Sequence, residues 1–111
     1  MSHNCFMSPK RRVGENLINN PQQASRRLGA HLKSRRIILG LSQELVAERA
    51  NISRSTLMRL EAGTGGTVEH LLIVALVLGV VDDLIEAVDP LNTDLGRMRA
   101  HMLNRQRASK A

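Results

Sequence analysis

Leu28, Leu32 and Leu39 fall at helical spacing in the first half of the chain, with Arg35 and Arg36 one turn beyond Leu32. This pattern predicts a first helix from Gln22 or Gln23 to about Leu39, with Gly40 just past its end. Ser42 has the character of an N-cap, and Glu44 follows in the first turn of a second, short helix. That helix ends near Ala50, with Val46, Ala47 and Ala50 on its inner face. Asn51 tolerates a left-handed backbone, and Ser53 repeats the cap signal for a third helix reaching Ala62. Leu57 and Leu60 are its apolar positions, and Gly63 closes it. After a Thr64–Thr67 loop, a fourth helix over Val68–Leu78 is apolar nearly all round. One apolar face suffices for a surface helix, so Ile73 and Val77 are expected to be surplus and to need a cover. A fifth short helix over Asp82–Val88 supplies part of it, and Pro90 marks a stop. Thr93 to Arg107 is expected either as one basic terminal helix or as a segment that orders on binding.

This pattern divides the chain into a basic, flexible N-terminal arm (1–21), a helical domain (22–90) and a basic C-terminal extension (91–111). The arm contains Ser8-Pro9, Gly14 and Asn19-Asn20-Pro21, with at most a helical turn at Leu17 and Ile18. Composition agrees with an all-α fold. Phe6 is the only aromatic residue of the 111, so the core is built from Leu, Ile, Val, Ala and Met, which suits packed helices better than a sheet. The same lack leaves no platform for stacking single-stranded bases.

Charge narrows the class of partner. The net charge is +6, which raises the prospect of a polyanion. Between Lys10 and Arg36 stand eight basic residues against Glu15 alone, and from Arg97 onward five basic residues and no acid. Most acids lie between Gly40 and Gly96. Such segregation differs from the mixed signs of a uniformly solvated surface.

Other chemistries find little support. Cys5 is the only cysteine, so no intrachain disulfide forms, which fits a reducing, cytoplasmic setting. His3 and Cys5 have no second Cys-His pair with which to hold a structural zinc, and no metal or cofactor is expected. The longest apolar run, Leu71–Val81, has 11 residues, short of the ~20 a membrane span needs. The Gly63–Thr67 loop lacks the Lys-Ser/Thr ending of a phosphate cradle. His31 and His70 read as surface or packed histidines, and no nucleophile system stands out, so no enzymatic activity is expected.

The remaining signal is two short helices around a tight turn, Ser42–Ala50 and Ser53–Ala62. This arrangement presents the N-terminal end of the second of them outward, as entry into a major groove requires. Arg54, Ser55, Met58 and Arg59 are its expected exposed positions, and Arg matches the paired acceptors of guanine. The stretches Leu32-Lys33-Ser34-Arg35-Arg36-Ile37-Ile38-Leu39-Gly40-Leu41-Ser42-Gln43 and Ile52-Ser53-Arg54-Ser55-Thr56-Leu57-Met58-Arg59-Leu60-Glu61-Ala62-Gly63 resemble the XRE-type (Cro-like) helix-turn-helix. The resemblance covers roughly Leu28 to Val88. It implies a lambda-repressor-like bundle of about five helices, usually a dimer on a palindromic DNA site. It further implies that Gln43 contacts a phosphate or base and that Arg54, Ser55 and Arg59 read bases. Ser53 and Thr56 would touch the DNA backbone, Thr64 would lie near it, and Arg36 and Glu61 would bridge the first and third helices. Asn51 departs from the family's common Gly, and the loop after Gly63 lacks its frequent basic residues.

A narrower resemblance joins Ser53-Arg54-Ser55-Thr56-Leu57 to Val77–Asp82, Val88-Asp89-Pro90, Asp94-Leu95-Gly96 and the basic ending. It points to HipB-type regulators and implies an antitoxin that binds a HipA-like toxin kinase and represses its own operon. Three functions therefore compete: a sequence-specific repressor acting as a homodimer on double-stranded DNA, such an antitoxin, and a binder of RNA or membrane surface driven by charge alone. The third predicts little sequence preference and no dependence on Arg54.

Overall fold

The computed structural model describes residues 18–110, without the side chains of 106–110. Most of the arm expected over 1–21, with His3 and Cys5, lies outside the described residues. Ile18 and Asn19 are in no helix. The described residues are helical with no strand, in agreement with the all-α expectation.

Five helices form the body: α1 (Pro21–Ile38), α2 (Gln43–Ala50), α3 (Arg54–Ala62), α4 (Val68–Leu78) and α5 (Val81–Ala87). Their ends have local causes. Asn20 Oδ1 accepts from the Gln23 amide at 2.7 Å and Pro21 opens α1, where its missing N–H costs nothing. Ser42 Oγ accepts from the Leu45 amide at 3.0 Å and Ser53 Oγ from the Thr56 amide at 3.0 Å. Asn51 closes α2 at φ 56°, the left-handed conformation expected of it. At α4 the Thr67 hydroxyl accepts from the His70 amide, while His70 Nδ1 accepts from the Thr67 amide. His70 thus completes a reciprocal cap, a role usually filled by Glu or Gln.

The core joins α1 to α4 through Leu32, Val46, Ala50, Leu57, Leu60, Val74 and Leu78. Leu57, Val46 and Val74 are fully enclosed, each worth ~1.5–3 kcal/mol of burial. The crossing of α1 over α3 is close. A Cβ on Gly29 would run into the carbonyl oxygens of Leu60 and Glu61, and one on Gly63 (φ 76°) into the backbone of Arg26. Arg35 Nε donates to the Leu78 carbonyl at 3.2 Å, placing a cation at the C-terminal end of α4.

The first helix ends where the spacing predicts: Leu39 caps α1 and is 49% exposed, while the inner face of α1 is Gly29, Leu32 and Arg36. Two sequence expectations need correction. Ile73 and Val77 are not the surplus residues of α4, because both pack partly buried against the core. The uncovered ones are Leu76, at 58% exposure, and Val68 at the start of the helix, at 70%. The terminal segment is not one helix from Thr93 to Arg107. A short 3₁₀ turn, Pro90–Asn92, is followed by α6 (Asp94–Met98) and α7 (His101–Lys110). Gly96 lies so close to the Pro90 carbonyl that a Cβ would meet it, and Arg97 Nη1 donates to the Leu91 carbonyl at 2.8 Å. These contacts fold α6 onto the 3₁₀ turn.

Candidate nucleic-acid interface

The α2–turn–α3 unit sets its side chains in two opposed sets. Thr56, Leu57, Leu60 and Glu61 are buried against the body. Arg54, Ser55, Met58 and Arg59 are exposed in a continuous stripe. The alternation follows from a 3.6-residue period with one face held by the core. Arg54 and Ser55 occupy the first turn of α3, whose unpaired amides favour an anion.

Behind this stripe lies a polar network that crosses the whole unit. Arg36 Nε donates to Glu61 Oε2 at 2.7 Å, Nη2 to Oε1 at 3.3 Å, and Nη1 to the Leu41 carbonyl at 2.9 Å. The two side chains are only 10% and 5% exposed, so this ion pair works in a low-dielectric setting. Gln43 Nε2 donates to Glu61 Oε1 at 3.0 Å, and Gln43 Oε1 accepts from Arg54 Nε and Nη2, each at 3.4 Å. Arg36, Glu61, Gln43 and Arg54 therefore form one chain from the interior to the surface. Among the described residues no buried side-chain nitrogen or oxygen lacks a partner. Arg54 also stands 3.9 Å from Glu44, an exposed pair of little energetic weight that a stronger anion can displace.

The residues singled out in the sequence thus take distinct places. Gln43, Arg54, Ser55 and Arg59 lie on the α2–α3 surface, and Thr64 is exposed just past Gly63. Ser53 is exposed but spends its hydroxyl on the α3 cap. Thr56 is buried, with its hydroxyl 2.8 Å from that of Ser53, so it supports the cap from behind. Arg36 and Glu61 form the bridge between α1 and α3. The bond from Gln43 to Glu61 and the clamp of Arg35 on Leu78 were not read from sequence, since each joins helices far apart in the chain.

Two helices around a left-handed turn, with a buried bridge and an exposed stripe on the second helix, define a helix-turn-helix domain. Residues 27–88, more than half of the chain, match a family model described as a helix-turn-helix domain, and the chain belongs to that family. Its class is that of the DNA-binding regulators. No curated protein and no solved structure gives a significant match. Among the described residues no helix is long and apolar enough to cross a membrane, and no three His, Cys, Asp or Glu side chains are grouped to hold a metal ion.

Proposed function

We propose that the protein is a sequence-specific repressor that reads a palindromic operator as a dimer, with α3 in the major groove. The observation that supports this reading is the exposed stripe Arg54, Ser55 and Arg59 on a helix whose other face is locked to the core. Arg54 and Arg59 carry the planar donors suited to guanine, and Ser55 accepts or donates to either base type. Gln43 holds Arg54 in place and is near enough to the surface to take a phosphate or base itself. Ser53 and Thr64 border the helix ends, where the DNA backbone would pass. In a dimer the two recognition helices would stand about 34 Å apart, one turn of DNA.

The test is a titration against the DNA upstream of the gene, with scrambled DNA as control. The wild type is expected to prefer the upstream DNA, and Arg54→Ala to lose ~1–3 kcal/mol of that preference. Equal binding of both proteins to all DNA would sink the reading.

One observation favours a second role as a toxin-binding antitoxin. Leu76 is exposed beside an open apolar cavity lined by Ile52, Leu72, Ile73 and Val81. A kinase encoded next to this gene would then be inhibited by the wild type and not by Leu76→Asp.

A further inference from the structure

Several parts of the molecule bear uncovered apolar side chains, and in two of them the surrounding charges are opposite. On α5, Ile85 is 57% exposed, and Val88 just beyond the helix is 79% exposed. Asp82 and Glu86 flank Ile85 on this helix and take part in none of the ion pairs among the described residues. In the C-terminal unit, Met98 is 75% and Leu103 51% exposed, and an apolar groove runs between Leu91, Leu95, Met102 and Leu103. This unit has one acid, Asp94, paired with Arg97 at 2.6 Å, and from Arg97 onward five basic residues.

The C-terminal unit is built, not merely trailing. Thr93 Oγ1 accepts from the Gly96 amide at 2.9 Å, and Arg97 ties α6 to the Leu91 carbonyl. The 3₁₀ turn and α6 pack on each other, with no comparable packing against any helix of the body. An ordered unit with an apolar exterior marks an interaction surface. The unit cannot swing back over α5 of its own chain without breaking its junction. Asp89 Oδ1 accepts from the Leu91 amide at 2.9 Å, and Asn92 Nδ2 donates to the Glu86 carbonyl at 2.8 Å. The second of these bonds ties the 3₁₀ turn to the C-terminal end of α5. A second copy satisfies both surfaces at once, because each chain brings one acidic and one basic apolar face.

We propose that two copies of this chain pair by reciprocal exchange, the basic C-terminal unit of each covering the acidic, apolar face of α5 in the other. The inference rests on the dimeric repressor reading and names the surfaces that make the dimer. Neither surface packs substantially on α3, so the exchange leaves the recognition stripe open.

Sedimentation equilibrium on the full chain tests it, with circular dichroism to verify that each variant keeps its helices. The wild type sediments as a dimer. Met98→Glu, Glu86→Arg and Arg99→Glu, all at exposed positions, each raise the dimer dissociation constant about tenfold or more. Glu86→Arg and Arg99→Glu together in one chain restore the dimer, because the exchange sets Glu86 against Arg99 and both copies of that pair are then reversed. A dimeric wild type whose constant does not respond to these variants, or is not restored by the double reversal, overturns the exchange and leaves the dimeric reading standing. A wild type that is monomeric both free and on its DNA overturns the two together.

Discussion

At the scale of single residues, the buried ion pair decides most about the recognition surface. Glu61 accepts from Arg36 on one side and from Gln43 on the other. Removing its carboxylate strands the Arg36 guanidinium in a nearly water-free site. Glu61→Ala is therefore expected to cost ~3–5 kcal/mol in urea unfolding, whereas an apolar pair at both positions would cost much less. Leu57→Ala, at a fully enclosed position, is expected to cost ~2–5 kcal/mol in the same assay, the spread reflecting how far the site collapses. Gln43→Ala separates stability from recognition. Its bond to Glu61 is partly exposed, so its loss is expected to cost only ~0.5–1.5 kcal/mol of stability. Arg54 then loses its anchor, and DNA discrimination should fall further than stability does. The Arg36–Glu61 bridge was legible through the family resemblance. The link through Gln43 was not, because it depends on how closely the start of α2 approaches the end of α3.

At the scale of elements, the helix ends were written in the sequence because they are made locally. Ser42, Ser53, Thr67, Gly63 and Asn51 each do in the structure what their type favours at that position. Ser53 is the cap on which the recognition helix depends. Ser53→Ala is expected to lower stability by ~1 kcal/mol in a thermal melt, and Asn51→Gly to leave it within a few tenths. What pattern alone missed was which residues a neighbouring helix covers. On α4 nearly every position is apolar, so periodicity could not separate Ile73 and Val77, which α2 and the core meet, from Leu76, which they do not. The terminal segment breaks at Arg99 and Ala100 and its first part, α6, lies on the 3₁₀ turn, an approach to which a helical spacing is blind.

At the scale of the whole molecule, charge governs how the protein meets DNA. With a net charge of +6 and Arg54 and Arg59 on the exposed face, affinity for any duplex is expected to fall steeply with salt. The slope of log K against log salt should approach ~0.9 per phosphate contacted, and Arg54→Ala should alter preference between sequences more than that slope. The sequence by itself determined α2 and α3, their caps at Ser42 and Ser53, the tight turn and the side of α3 that faces outward, since each rests on neighbours within about one helical turn. Only the tertiary structure decided that Gly29 lets α1 lie on α3, that Arg36 reaches Leu41 and Glu61 together, and that α5 and the C-terminal unit are left with opposite, uncovered faces. Those outcomes join residues far apart in the chain, and their energies exist only once the helices have closed on one another.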